Sequence, residues 1–174
     1  VMSYAVRRPE QVSHLVLIGA ASPLQPPSDR SGFNQRLELI ESGATQAEIV
    51  AKTFDFTKRA FSGYSLERNP RAIERVRAEH LSNDPKSYAE MLRANDAEPE
   101  LTQSQLESIR CPVLVLVGDS DARCPVVMAQ DLNRVIPSSF MKIIRDCGHF
   151  YGYEQPETTS QAMTTFLTAF GARL

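Results

Sequence analysis

The chain has 174 residues, 42% of them hydrophobic and 23% charged, proportions that suit one globular domain with a buried core. Nineteen Lys and Arg against 21 Asp and Glu leave a net charge of −2, which excludes a basic nucleic-acid footprint and a polyanionic tail. The apolar runs are too short for a membrane span, no secretory leader is visible, and three irregularly spaced cysteines exclude a disulfide framework; a soluble, cytoplasmic protein is expected.

Val1 to Arg8 reads as the body of a helix whose start lies upstream, because it has no N-cap and runs into Pro9. His14 to Gly19 is a continuous apolar run bounded by polar residues and glycine, the pattern of a parallel strand buried on both faces. Ser22 to Ser28 is a proline-rich exit loop. From about Phe33 to Ile109 the sequence shows helix signals and no strand. Thr45-Gln46-Ala47-Glu48 and Thr102-Gln103-Ser104-Gln105 fit capping boxes, and Asn69-Pro70 and Asp84-Pro85 pair an N-cap with proline at the first helical position. Phe33, Leu37 and Ile40 share one helical face, Ile73, Val76 and His80 a second, and Tyr88, Met91, Leu92 and Asn95 a third.

Val113 to Val117, before Gly118, is the strongest strand signal. Val126, Val127, Leu132 and Val135 predict a helix closed by Pro137, and Met141 to Ile144 a third strand of the same buried character. The last helix opens at Gln155-Pro156-Glu157 and carries Ala162, Met163, Phe166, Leu167 and Phe170 on one face. Strands alternating with helices through short links imply βαβ units and a parallel sheet. The expected architecture is α/β: a core of residues 1–22 and 110–174 with three parallel strands, and an all-helical cap over residues 23–109.

Three pieces bear on chemistry: Gly118-Asp119-Ser120-Asp121 after one strand, Cys147-Gly148-His149 after the next, and Glu154-Gln155-Pro156 at the last helix. In open parallel sheets, ligands sit outside the carboxyl ends of the strands. Asp121 and His149 would both project there from adjacent strands. A carboxylate that orients a histidine is one arm of a nucleophile–base–acid triad.

With those pieces in place the sequence resembles the α/β-hydrolases. The order strand, Gly-x-x-Asp, helix, strand, Gly-His, four residues, Glu-x-Pro, terminal helix is similar to their C-terminal third. Tyr4 to Ile18 resembles the segment that follows their nucleophile elbow, and the helical insertion resembles their cap. Asp84-Pro85-Lys86-Ser87-Tyr88-Ala89 is most similar to the enol-lactonase, esterase and cofactor-free haloperoxidase-like branch. The resemblance implies attack by a serine on an ester, lactone or related acyl carbon of a small molecule, without metal or organic cofactor. It makes His149 the base and Asp121 its orienter, in the family's order of acid before histidine. The cap would shape an apolar pocket and exclude water. The family's Gly-x-Ser-x-Gly turn does not occur in these 174 residues, so the chain reads as the second half of a longer hydrolase.

Other readings stand beside this one. Ser120, in a Gly-Asp-Ser block, is an alternative nucleophile, although only one helix separates it from His149 and a turn role suits it better. His14 is expected to be structural at the opposite edge of the sheet, and His80 to pack between cap and core. Cys111, Cys124 and Cys147 lack metal-ligand spacing; Cys147 should be buried beside His149 and Cys124 line the pocket. Phe54, Phe56 and Phe61 should form cap core, one of them facing substrate. The chain alone could instead be an inactive module for binding or assembly, or half of a heteromer completed by a second polypeptide. The unprotected strand His14–Gly19 predicts association, either with a copy of the chain or with a missing first half.

Overall fold

A computed structural model describes residues 1–25, 30–97 and 99–171. In chain order they form α1 (Met2–Arg7), a 3₁₀ turn at Pro9–Gln11, β1 (Leu15–Ile18), α2 (Ser31–Glu41), α3 (Gln46–Lys58), α4 (Gly63–Arg68), α5 (Pro70–Ser82), α6 (Pro85–Ala97), α7 (Gln103–Glu107), β2 (Val113–Gly118), α8 (Val126–Val135), β3 (Ser139–Ile144), α9 (Tyr151–Glu154) and α10 (Pro156–Ala169).

The three strands make one parallel sheet in the order β1-β2-β3, with Leu15 opposite Val113 and Gly118 opposite Ile144. One face of the sheet, including Leu17, Val113, Val115 and Val117, packs on Ala5, Leu106, Ala129, Leu132 and Val135 from α1, α7 and α8. The other face, Leu114 and Leu116, packs on Ala162 and Phe166 of α10. Burial on both faces, expected for all three strands, holds only for the central one, where all six residues are buried. In β1, Ile18 is 37% exposed, and in β3, Phe140 is 50% exposed. The helices centre on β2, so among the described residues the flanking strands lie at the rim of their cover. Within α8 the buried stripe is Met128, Ala129, Leu132 and Val135, and Val127 faces outward, against expectation.

Residues 31–107 contain six helices and, among those described, no strand. The local signals explain where these helices begin. Thr45 and Glu48 exchange capping bonds at α3, and Thr102 and Gln105 do so at α7. Asn69 Oδ1 accepts the Ala72 N–H at 3.2 Å before Pro70 begins to shape α5. Asp84 Oδ2 accepts the Ser87 N–H at 2.8 Å, at the start of α6. Ser62 caps α4 through the Ser65 N–H at 3.1 Å, a role not read from the sequence.

Two of the expected faces are corrected. The buried residues of α2 are Gly32 and Arg36, and Phe33, Leu37 and Ile40 only flank them. A Cβ on Gly32 would lie 2.0 Å from the Phe56 ring, so this glycine lets α3 approach. On α6, Ala89 and Leu92 are buried while Met91 is exposed; the Asn95 side chain lies outside the described residues. His80 is also reassigned. Its ring meets Phe54 edge-on, 6.1 Å between centroids, and its Nδ1–H donates to Val76 O at 2.8 Å, so it packs between α3 and α5 inside the helical segment.

Candidate active site

Asp121 follows β2 and His149 follows β3, at the same end of the sheet. Two glycines allow close backbone approaches here, one between the two loops and one between the histidine loop and the helical segment. A Cβ on Gly118 would meet Cys147 O at 2.2 Å, and one on Gly148 would meet Ala60 O at 2.2 Å. Asp119 joins the loops from its side chain, Oδ2 accepting the Asp146 N–H at 3.1 Å and Oδ1 the Cys147 N–H at 3.3 Å. Asp146 takes a left-handed φ of 52°, which turns the chain toward His149.

The Asp121 side chain is fully buried and saturated with donors. Its Oδ1 accepts the Arg123 and Cys124 N–H groups, each at 2.9 Å. Its Oδ2 accepts His149 Nδ1–H at 2.9 Å and the Tyr151 hydroxyl at 2.7 Å. Burial pushes the Asp121 carboxyl up, but the hydrogen bond and charge of His149, with the Cys124 and Tyr151 bonds, outweigh it and hold the pKa below its ordinary value. An ionised carboxylate only accepts, so the His149 Nδ1–H is the donor to Asp121, and Nε2 is the ring nitrogen that faces away from the pair. The His149 side chain is 27% exposed, against 0% for Asp121. A ring anchored on one side and partly exposed on the other is an arrangement suited to proton transfer.

Tyr151 was not singled out by the sequence reading. It lies two residues beyond His149, buried, donating to Asp121 while its oxygen accepts the Gly118 N–H at 3.1 Å. Burial and the Asp121 charge drive its own pKa well above the usual phenol value. The end of β1 arrives at the same place: a Cβ on Gly19 (φ 53°) would lie 2.9 Å from Tyr151 Cε2 and 3.1 Å from His149 Cε1. All three strand ends therefore converge on the histidine.

The helical segment is tied to this loop. His149 N–H donates to Ala60 O at 2.7 Å. Buried Glu154 accepts the Gly148 and Phe150 N–H groups on Oε1, both at 3.0 Å, and the Ser62 N–H on Oε2 at 2.8 Å. Glu154 was read only as part of a helix-start motif; its carboxylate bridges the histidine loop to α4. Phe61 stacks on Phe150 with 4.4 Å between centroids, and Phe54 shares its core, while Phe56 packs on Phe33.

The remaining candidates fall elsewhere. Ser120 is exposed and its hydroxyl donates to Asp119 Oδ1 at 3.0 Å, not to His149. His14 Nε2 bonds Phe170 O at 3.0 Å, below the other end of β1. Cys147 packs with Ile144 and Tyr151, and Cys124 is buried beside Asp121; burial first, then neighbouring carboxylates, pushes both thiols up to about 12. Among the described residues no group of three or more His, Cys, Asp or Glu is placed to hold a metal ion, and no helix is long and apolar enough to cross a membrane.

A profile of the Ndr family matches residues 1–173. The chain is 26% identical over 175 residues to a 2-hydroxy-6-oxononadienedioate/2-hydroxy-6-oxononatrienedioate hydrolase of Pseudomonas putida, covering 95% of this chain and 58% of the relative. It is 25% identical over 170 residues to a 3-oxoadipate enol-lactonase of Acinetobacter baylyi, covering 95% and 58%. A thermophilic esterase from Thermogutta terrifontis superposes with a TM-score of 0.81 at 26% identity, over 97% of this chain and 60% of that one. The chain thus spans about three-fifths of the length of the curated relatives it matches.

Proposed function

This chain belongs to the Ndr family, within the α/β-hydrolase superfamily, and from that premise we propose that it supplies the base and the acid of a serine-type hydrolase. The substrate is a small ester, lactone or related acyl compound, and the supporting observation is the buried Asp121 held at 2.9 Å on His149 Nδ1. His149 Nε2 takes the proton of a serine hydroxyl as its oxygen attacks the acyl carbon. The same proton passes to the departing oxygen when its bond to that carbon breaks. Water then repeats the sequence on the acyl-serine, giving the acid and restoring the serine. Asp121 stays ionised throughout, fixing the tautomer and stabilising the imidazolium.

Residues 23–109 act as the cap, closing the site against water from a segment docked on the histidine loop. The serine comes from a Gly-x-Ser-x-Gly segment outside these 174 residues, on the same polypeptide or a partner. A copy of the chain or that segment pairs along β1, and the three free thiols suit the reducing cytoplasm. The alternative reading is a binding or assembly module without turnover.

The test is p-nitrophenyl acetate turnover by the purified chain, alone and with the serine-bearing polypeptide. Activity in the second case should fall by about 10³-fold or more in His149→Ala. Turnover that survives this change overturns the reading. A folded chain inactive in both states supports the module.

A further inference from the structure

Near the Asp121–His149 pair lie two guanidinium groups that form no ion pair with a carboxylate among the described residues. Arg36, on α2, is only 5% exposed. Its Nη1 donates to the Tyr88 hydroxyl at 2.8 Å, its Nε and Nη2 to Thr53 Oγ1 at 3.3 and 3.1 Å, and Nη2 also to Thr57 Oγ1 at 3.2 Å. Every partner is a neutral hydroxyl. These bonds satisfy donors, and the Tyr88 ring lies 5.1 Å from the guanidinium carbon, but among the described residues no anion meets the charge, and a buried charge without an anionic partner is costly.

Arg123 lies two residues beyond Asp121. Its guanidinium carbon sits 4.9 Å from the centroid of Phe33 and 5.3 Å from that of Phe56, so it packs against the edge-to-face pair that these rings of α2 and α3 form, their centroids 5.7 Å apart. Among the described residues its side chain makes no hydrogen bond and no ion pair. The neighbouring acid, Asp121, cannot serve. Its acceptor positions are taken by the Arg123 and Cys124 N–H groups, His149 and Tyr151.

The two arginines also feel each other. Burial first, and then the charge of Arg36, holds the Arg123 guanidinium below its ordinary value, partly offset by the charge of Asp121. His80, lowered chiefly by burial, is lowered further by both arginines. Three basic groups from α2, α5 and the Asp121 loop thus share one region, with aromatic rings beside them. A guanidinium packed against rings on one side, with no hydrogen-bond or ion-pair partner among the described residues, can take a planar carboxylate in a two-point bond.

We propose that Arg123, backed by Arg36, docks a free carboxylate of the ligand, so that the preferred acyl substrates are acids carrying that group away from the bond being cleaved. Calling the ligand a substrate rests on the proposed hydrolase reading; binding the anion needs neither nucleophile nor turnover. The ring pair backs the guanidinium, Arg36 raises the local positive potential, and the loop shared with Asp121 tethers the rest of the ligand beside the histidine site.

Calorimetric titration of the full chain with glutarate, its neutral dimethyl ester and inorganic phosphate tests this. Glutarate should bind at least tenfold more tightly than either competitor. Arg123→Gln, which keeps a planar group against the rings, should weaken glutarate at least tenfold, and Arg123→Lys should recover only part of the loss. Lys58→Gln, at an exposed cation, should change nothing. Equal binding of diacid and diester, tighter phosphate, undiminished glutarate binding in folded Arg123→Gln, or an equal loss in Lys58→Gln overturns the proposal. Should Arg123→Gln fail to fold, full affinity in Arg123→Lys overturns it. Glutarate binding through Arg123 without ester turnover leaves this inference standing and removes the hydrolase reading; His149-dependent turnover without glutarate binding does the reverse.

Discussion

Asp121 is a residue whose role depends on the number of its donors. Four hydrogen bonds in a dry setting keep it charged where burial alone would neutralise it. Tyr151 supplies one of the four and takes up the Gly118 N–H as well. Tyr151→Phe should therefore raise the Asp121 pKa toward the ordinary carboxylate value, read by carboxyl carbon shifts, and cost about 1–3 kcal/mol of stability. The pH dependence follows from the direction of the shift. A carboxyl lowered in the folded state contributes stability that is present above its unfolded value of about 3.9 and lost as pH falls through the folded value. Acid unfolding of the Phe variant, followed by circular dichroism, should show a smaller loss across that window than the native chain. A steeper acid limb would contradict the role given to the hydroxyl.

At the scale of elements, the histidine loop is held from the helical side as firmly as from the sheet. Glu154, at the end of α9, accepts three N–H groups, two of its own loop and one at the start of α4. Removing that acceptor leaves three buried donors to find water or open. Glu154→Ala should lower stability by about 3 kcal/mol or more. It should also speed hydrogen exchange at Ser62, Gly148 and Phe150 while β2 stays protected. Uniform protection across these amides would show that Phe61 on Phe150, and not the carboxylate, carries the junction.

For the whole molecule, the decisive feature is a sheet of three strands with β1 at one side. Ile18 is partly exposed there, Val1 and Tyr4 of the neighbouring α1 segment are exposed, and no charge or proline guards the strand. A cavity of about 330 Å³ bordered by Val1, Met2, Leu17, Leu101 and Met128 opens beside it. Sedimentation of the purified chain at micromolar concentration should give a species heavier than one 174-residue chain. A well-folded monomer would refute pairing along this edge.

Signals that act within a few residues were legible without the fold. The caps at Thr45, Asn69, Asp84 and Thr102 bind backbone groups three residues away, and the all-apolar run Val113–Val117 forms the centre of the sheet. Asp121 and His149 were legible for a similar reason: strand ends in a parallel sheet fix which edge carries both. The outward turn of Phe140 and Ile143 was not, because a strand's burial depends on how far the helices of other segments reach over it. Nor were the contacts of Arg36 with Tyr88, Tyr151 with Gly118, and Glu154 with Ser62, whose partners lie far apart along the chain. Sequence patterning determined which residues enter helices, strands and the functional edge. Beyond the Asp121–His149 pair, tertiary packing decided which buried polar groups meet, since such a group is stable only where a distant segment brings its partner.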